Sequence, residues 1–256
     1  MSDNLQPRGA DDATFAQPLY TPIKRRSFFM YAGATAGASA LVLAGCSKDS
    51  DTPANSNLVS VGTGDFGVLN YAYALEQLEA AFYTQLRDGS YYKGLGPTSA
   101  EKLILDDLYY HEVIHREFFK AALGTNAIKG LTPTFAAVNF NDRTSVLGTA
   151  KAFEDLGVAA YNGAGQYITS PLYLTLAGKI VSVEARHAAI IRDLVQEGNF
   201  AANDVVTISS ANTSNVTTNN SPSGSSLERS KSPAEVVATA NMFLAEGSKL
   251  DVSGLV

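Results

Sequence analysis

The sequence predicts an all-α fold, a bundle of four helices. The pattern Glu-x-x-His occurs twice, as Glu112 with His115 and as Glu184 with His187, and a helical segment with an apolar-flanked Glu precedes each occurrence. Residues i and i+3 project from one face of a helix, so each pattern directs a carboxylate and an imidazole to the same point. Two such helices, with one Glu from each of two more, supply the ligands of a di-iron or di-manganese site.

Start and stop residues set the bounds of the helical segments. Asp65 is the predicted N-cap of the first segment, and Thr98 with Glu101 has the Ser/Thr-x-x-Glu form of a capping box at the start of the second. Residues 124–141, between the second and third segments, can span about 50 Å when extended. This length predicts a crossover along the bundle rather than a tight turn. The predicted helices lie at about residues 65–86, 98–123, 142–168 and 172–197.

Residues 1–46 have the order of features found in a bacterial export signal. A basic stretch with Arg25 and Arg26 precedes an apolar stretch at 30–44, which is short for a membrane span, and Leu-Ala-Gly-Cys ends the segment at Cys46. The paired arginines resemble a twin-arginine signal, and the last four residues resemble a lipobox. We therefore predict that Cys46, the only cysteine, carries a lipid anchor and that the mature protein lies in the cell envelope, outside the cytoplasm.

The rest of the chain divides by composition. Residues 47–63 are a polar tether, 64–200 hold the helical segments, and 201–231 are rich in Ser, Thr and Asn, which predicts a disordered linker. The C-terminal segment 232–256 begins with Ser232 in a helix-start pattern, and its short helix either packs back onto the bundle or remains a free amphipathic tail. The formal net charge of −6 argues against nucleic acid as a partner.

An internal repeat indicates which carboxylates matter. Leu-Glu-Gln-Leu-Glu-Ala-Ala-Phe-Tyr at 75–83 aligns with Phe-Glu-Asp-Leu-Gly-Val-Ala-Ala-Tyr at 153–161, so Glu76 corresponds to Glu154. A Glu-x-x-His helix follows each copy, which predicts two helix pairs related by a pseudo-twofold axis. A charged Glu within an apolar stripe is costly unless a cation compensates it, and carboxylates with two imidazoles suit iron or manganese. The candidate ligands of two such ions are Glu76, Glu112, His115, Glu154, Glu184 and His187.

Four more residues lie near these ligands in the sequence. Glu79 has more apolar surroundings than Glu76, but the repeat aligns it with a glycine, so we take Glu76 as the ligand and Glu79 as a neighbouring or reserve carboxylate. Tyr83 and Tyr161 each follow their Glu by seven residues, two helical turns, and are catalytic candidates or plain aromatic core. His111 breaks the i, i+3 form and is not expected to be a ligand, although it can contact one.

Together these motifs resemble the ferritin-like domain family that includes the desiccation-related proteins of plants and bacteria. The resemblance rests on Leu-Glu-x-Leu-Glu-x-x-Phe-Tyr, Phe-Glu-Asp-x-Gly-x-x-Ala-Tyr and both Glu-x-x-His patterns, and it covers about residues 65–197. It implies a ferritin-like four-helix bundle with one long crossover between helices 2 and 3 and with a dinuclear metal site. It implies less about activity, because ferritin-like sites serve iron storage, peroxide removal and oxygenation.

Three functions are compatible with the sequence. The leading hypothesis is an exported lipoprotein whose di-iron or di-manganese centre performs redox chemistry on oxygen or peroxide in stress protection. Metal storage is the second, although a lipid anchor and a long linker fit a closed storage shell poorly. The third is a non-catalytic surface protein in which metal holds the bundle together. The expected partner is the membrane, reached through the lipid, and a homo-oligomer stays open.

Overall fold

A computed structural model describes residues 57–202, 204–206 and 227–255. Four long helices confirm the predicted all-α bundle, and a short helix that the sequence did not predict follows the first of them. The predicted export signal, Cys46 and the middle of the predicted linker lie outside the described residues. The helices are α1 (Gly64–Asp88), α2 (Ser90–Lys93), α3 (Ala100–Leu123), α4 (Arg143–Ala164), α5 (Pro171–Val195) and α6 (Pro233–Ala240). Within the described ranges, no helix combines the length and hydropathy that a membrane span requires.

The start of α1 differs from the prediction. Thr63 occupies the N-cap position, and Asp65 lies in the first turn of the helix. The Asp65 carboxylate instead accepts hydrogen bonds from the backbone N–H groups of Thr169, at 2.7 Å, and Ser170, at 3.0 Å. Backbone donors at a helix start have no partner within the helix, so a carboxylate from a neighbouring element can satisfy them. The Asp65 side chain thereby links the start of α1 to the start of α5 by hydrogen bonds.

The capping box predicted for the second helix does not form. The N-cap of α3 is Ser99, whose hydroxyl accepts a hydrogen bond from the Lys102 backbone N–H. The predicted box is displaced by one residue, because Thr98 and Ser99 are both suitable caps and the chain uses the second of them. Glu101 therefore binds Arg143 at the start of α4 instead, with a shortest contact of 2.7 Å.

Neighbouring helices of the bundle run antiparallel. α1 packs mainly against α3, and α4 packs mainly against α5, so the two predicted helix pairs are present. Between the pairs, Tyr83 meets Glu154 whereas Glu76 meets Tyr161, which shows that α1 and α4 also run in opposite directions. Consequently α3 and α4 point the same way, and the chain must return along the bundle between them. The segment 124–142 makes this crossover, as the sequence predicts.

Two side-chain amides on α1 hold the crossover against the bundle. Asn70 donates a hydrogen bond to the Asn126 carbonyl at 2.9 Å and accepts one from the Ile128 backbone N–H at 2.9 Å. Two turns further along, Gln77 accepts a hydrogen bond from the Leu131 backbone N–H at 2.8 Å. Both amides are buried. Buried polar groups require partners, and the irregular crossover supplies them for Asn70 and for the amide oxygen of Gln77, whereas Gln77 Nε2 makes no hydrogen bond.

The C-terminal segment packs onto the bundle, which decides between the two predicted alternatives. Ser232 and Glu235 form a capping box at the start of α6, and Val236 on this helix is fully buried. Just before α6 the backbone of Lys231 crosses Gly163 of α4 so closely that a Cβ at Gly163 would lie 1.8 Å from the Lys231 carbonyl oxygen. Only glycine fits at this crossing.

Three short backbone pairings join distant parts of the described chain, one of them an antiparallel bridge between Pro133 and Leu244. Strand β1 (Val59–Ser60) pairs in parallel with strand β2 (Leu250–Asp251). An antiparallel bridge joins Val206 to Glu228, so the described ends of the predicted linker lie side by side. None of these pairings was predicted, because two residues are too few to show a strand period in the sequence.

Candidate metal centre

The predicted ligands lie together in the middle of the bundle. They are Glu76 from α1, Glu112 and His115 from α3, Glu154 from α4, and Glu184 and His187 from α5. They form two groups of four residues, and in each group one ligand atom per residue lies within 4.8 Å of the others. Glu112 and Glu184 belong to both groups. The His115 group adds Glu76 and His115 to this shared pair, and the His187 group adds Glu154 and His187.

In the His115 group, the imidazole Nδ1 faces three carboxylates. It lies 2.7 Å from an oxygen of Glu184, 3.4 Å from one of Glu76 and 4.0 Å from one of Glu112. The His115 side chain is 12% exposed. The other members of the two groups are at most 3% exposed. The His115 position is therefore the more open side of the site.

The His187 group has the same arrangement. Nδ1 of His187 lies 2.9 Å from Glu112, 3.3 Å from Glu184 and 3.5 Å from Glu154. The shared carboxylates are divided between the two imidazoles. Glu112 turns Oε1 towards His187 and Oε2 towards His115, and Glu184 turns Oε1 towards His115 and Oε2 towards His187. Each shared carboxylate thus presents one oxygen to each group.

Burial and mutual repulsion act on the carboxylates. Burial is the main cause that raises the pKa of Glu76, Glu112 and Glu154, and the negative charge of Glu184 adds to it. The pKa of Glu112 is raised well above the ordinary value, because Glu112 is fully buried among the carboxylates of Glu184, Glu154 and Glu76. Charge in a low-dielectric interior is costly unless a counter-charge is close. Ionisation of one of these carboxyl groups therefore makes ionisation of the others less favourable.

The two imidazoles counteract part of this repulsion. Burial alone would raise the pKa of Glu184, but its ionic contacts with His115 and His187 lower it to about 2. In return, burial lowers the pKa of His115, but its contacts with Glu184 and Glu76 outweigh this effect and raise it to about 10. The pKa of His187 is raised further, since three carboxylates surround its Nδ1. Four carboxylates against two imidazoles still leave an excess of negative charge.

Eight buried ligand-type atoms of these side chains make no hydrogen bond with proper geometry. They are Glu76 Oε2, both oxygens of Glu112, His115 Nδ1, Glu154 Oε2, both oxygens of Glu184, and His187 Nδ1. Some lie at ion-pairing distance from each other, but their directions are not those of hydrogen bonds. One such unpaired buried group costs about 1–3 kcal/mol, and native proteins contain few of them. Metal cations between the two groups would satisfy all eight atoms at once.

Pairing with arginine, the ordinary alternative for a buried Glu, does not occur at this site. Arg116, which follows His115 in sequence, binds its neighbour Glu117 at 2.8 Å. In the described part of the chain, the ion pairs of the four carboxylates all involve His115 or His187. The donor set of carboxylate oxygens and two imidazole nitrogens therefore fits iron or manganese.

Two tyrosines hydrogen-bond to the site crosswise. Tyr83 of α1 donates to Glu154 Oε1 of α4 at 2.5 Å, and Tyr161 of α4 donates to Glu76 Oε1 of α1 at 2.5 Å. The Oε2 atom of each carboxylate is left to face the centre. Burial, as the main cause, raises the pKa of both phenols well above the ordinary value, so they remain protonated donors. The repeat predicts that the two tyrosines occupy equivalent places. The antiparallel packing of α1 and α4 then lets the tyrosine of each helix bond to the Glu of the other.

Glu79 lies beside the site but belongs to neither group of four. It is 5% exposed, and burial together with the charge of Glu112 raises its pKa well above the ordinary value. A Cβ on Gly157 would lie 3.1 Å from Glu79 Oε1. The glycine that replaces Glu79 in the second repeat copy therefore leaves room for its carboxylate. The structure brings Glu76 into the ligand cluster and leaves Glu79 next to it.

His111 contacts a member of the site without belonging to either group. Its Nδ1 lies 2.8 Å from Nε2 of His187, and the two rings meet edge to edge, with centroids 5.1 Å apart and 16° between their planes. His111 lies one helical turn before His115, on the part of α3 that faces α5. The spacing of one turn from His115 indicated that His111 lies near the site. The sequence did not indicate that His111 contacts His187, because that contact depends on the packing of α3 against α5.

Comparison with known proteins yields one family. The family model of the ferritin-like domain matches residues 64–197. A search of curated proteins returns no match. The matched range begins at the first residue of α1 and extends just past the end of α5, so it contains the whole bundle and both groups of candidate ligands.

Proposed function

Because this chain belongs to the ferritin-like domain family, we propose that its bundle holds a dinuclear iron or manganese centre that performs redox chemistry on oxygen or peroxide. The observation that carries the proposal is the convergence of six ligand side chains with eight ligand-type atoms left without a hydrogen bond. A set of buried carboxylates and imidazoles without other partners is costly to the protein unless cations bind it.

The division of the shared carboxylates supports two metal positions rather than one. Glu112 and Glu184 each present one oxygen to either imidazole, so each would contribute a ligand oxygen to both positions. Glu76 and His115 would complete one position, and Glu154 and His187 the other. This is the arrangement that two Glu-x-x-His helices and two single Glu helices provide in carboxylate bundles.

Redox-active ions bound here would supply the electrons that oxygen or peroxide accepts. The chain excludes bulk water, because all members except His115 are at most 3% exposed. Access from the His115 side therefore favours small molecules such as oxygen and hydrogen peroxide. Tyr83 and Tyr161 each donate a phenolic proton to a candidate ligand carboxylate, with 2.5 Å between the two oxygens, and this proton can be passed to a reacting group.

The test is turnover by metal-loaded protein. After anaerobic loading with Fe²⁺ or Mn²⁺ and removal of free ions, the full-length chain should disproportionate hydrogen peroxide into oxygen and water in multiple turnovers, or should reduce oxygen in multiple turnovers when an external one-electron donor is supplied. Glu184→Gln should abolish consumption, because Glu184 belongs to both groups. Glu117→Gln, an exposed carboxylate on the same helix as Glu112, should leave it unchanged. Bound metal without turnover in the wild type would contradict the redox role and indicate that metal only stabilises the bundle.

We further propose that the protein is an exported lipoprotein of the desiccation-related type that acts in stress protection in the cell envelope. The support is the order of features at the N-terminus: paired arginines at Arg25 and Arg26, an apolar stretch, and a lipobox at Cys46. Cys46→Ala should release the protein from membranes or trap an uncleaved precursor, as fractionation and mass measurement will show. Membrane association and processing identical to the wild type would place the anchor elsewhere.

A further inference from the structure

The contact between His111 and His187 gives one imidazole of the site a defined orientation. Nδ1 of His187 faces Glu112, Glu154 and Glu184, and Nε2 lies 2.8 Å from Nδ1 of His111. Both ring nitrogens of His187 are therefore engaged. The ring can neither flip nor rotate without losing a contact on each side.

This contact also selects the tautomer of His187. An imidazole that binds a metal through Nδ1 carries its proton on Nε2, and a hydrogen-bond acceptor at Nε2 holds it in that form. Nδ1 of His111 is such an acceptor when the His111 proton is on its own Nε2. His111 is exposed, so its Nε2–H can bond to water. Once Nδ1 of His187 gives up its proton to bind an ion, its lone pair is directed at the space between the three carboxylates.

The other imidazole has no such partner from the repeat. Glu112 corresponds to Glu184 in the two Glu-x-x-His helices, so His111 corresponds to Val183. A valine side chain cannot accept a hydrogen bond. The ion pairs of His115 are all made by Nδ1, and its side chain is 12% exposed, compared with 3% for His187. The repeat is therefore broken at the residue that orients one ligand.

On the premise that the proposed metal centre exists, we propose that His111 is a positioning residue that makes the two metal positions unequal. The His187 group, whose imidazole is oriented by His111, binds its ion first and more tightly. The His115 group binds second and exchanges its ion more readily. A partner of this kind is worth about 10–100-fold in metal affinity, so the two binding steps should be separated by a factor in this range.

The experiment is a stepwise titration of the metal-free full-length chain with Co²⁺, whose visible spectrum reports each occupied position. The wild type should show two steps. His115→Ala should remove the weaker step and leave the tighter one. His111→Phe keeps an aromatic ring beside His187 but removes the acceptor, and it should weaken only the tighter step, by about 10–100-fold.

A second substitution separates orientation from general loss of structure. The Asn side chain carries its Oδ1 on Cγ, as His carries Nδ1, so His111→Asn places an acceptor near the same point and should restore most of the tighter step. Glu117→Gln on the same helix should change neither step. Proton NMR adds a direct readout: the first equivalent of Co²⁺ should give one shifted, slowly exchanging imidazole N–H signal, which His111→Phe loses.

The outcomes separate this inference from the proposed function. Two equal steps in the wild type, or a tighter step that His111→Phe leaves unchanged, would overturn the role of His111 while the metal centre stands. Equal weakening by His111→Phe and His111→Asn would assign the effect to packing and would overturn it as well. Absence of any Co²⁺ binding by the wild type would overturn the proposed function itself.

Discussion

Substitution of Glu112 by glutamine tests the physical reason for metal binding at this site. Glu112 belongs to both groups, is 0% exposed and has two oxygens without hydrogen bonds. Glutamine keeps the shape of the side chain and removes its charge. The substitution should therefore stabilise the metal-free protein, which is unusual for a change in a core.

The size of the effect follows from the charges in the site. Removal of one of four carboxylates reduces the excess over two imidazoles, and His187 retains Glu184 at 3.3 Å and Glu154 at 3.5 Å as partners. Replacement of this buried carboxylate by a neutral amide should raise the free energy of unfolding by about 1–3 kcal/mol. For a bundle of this size that corresponds to an increase of roughly 2–4 °C in Tm per kcal/mol. With metal at 100 times Kd the wild type gains about 2.7 kcal/mol, which the variant should not gain.

The assay is thermal unfolding of both proteins with a chelator and with excess Mn²⁺. In chelator, the Tm of Glu112→Gln should be higher than that of the wild type. Mn²⁺ should raise the Tm of the wild type but not that of Glu112→Gln. Glu117→Gln, on the exposed surface of the same helix, should match the wild type in both conditions. A variant that melts below the wild type in chelator would refute the reasoning, because Glu112 would then be a net stabilising partner of His187.

Other perturbations give independent checks. Metal affinity should rise as the pH rises towards about 10. The reason is that the pKa values of both imidazoles are raised, that of His115 to about 10, so each imidazole must lose a proton before it binds metal. Calorimetry in buffers of different ionisation enthalpy will count the released protons. Tyr83→Phe and Tyr161→Phe each remove the donor to a ligand carboxylate and should weaken affinity about 10–100-fold in a chelator competition. Arg192→Leu should lower the free energy of unfolding, measured in urea, by about 3 kcal/mol. The Arg192 side chain is 1% exposed and pairs with Asp155 and with Asp204, of which Asp204 is more than half exposed.

Each of these checks has a contrary result. Affinity that does not change with pH would mean that the imidazoles are neutral before metal binds. Unchanged affinity in both tyrosine variants would make their hydrogen bonds incidental to the site. A loss below about 1 kcal/mol for Arg192→Leu would mean that solvent screens its ion pairs as at an exposed site.

The cluster of candidate ligands could be predicted from the sequence because the motifs that define it are local. A Glu and a His three residues apart share a helix face whatever surrounds them, and the repeat selects Glu76 and Glu154 without knowledge of packing. Glu79 shows the limit of the apolar stripe as a guide. It is buried, as the stripe indicates, but it lies beside the ligand cluster, and the glycine of the other repeat copy was the better indication.

What the sequence missed depends on contacts between helices. Each tyrosine hydrogen-bonds to the Glu of the other helix, Tyr83 on α1 to α4 and Tyr161 on α4 to α1, and this requires the antiparallel packing of the two helices. The contact of His111 with His187 requires α3 to approach α5. Asp65 looked like a cap because residue type alone cannot show that its carboxylate reaches α5. A comparison of the two repeat copies at His111 would have flagged that position, since the copies differ there.

The number of metal ions bound per chain tests the central claim most directly. Full-length protein should be loaded anaerobically with Fe²⁺ or Mn²⁺, freed of unbound ions and analysed for metal and protein together. Two groups of ligands that share Glu112 and Glu184 predict about two ions per chain for the wild type, and less than one for Glu184→Gln. A wild type that binds well under one ion per chain of either metal would contradict the assignment of these six side chains as a metal centre.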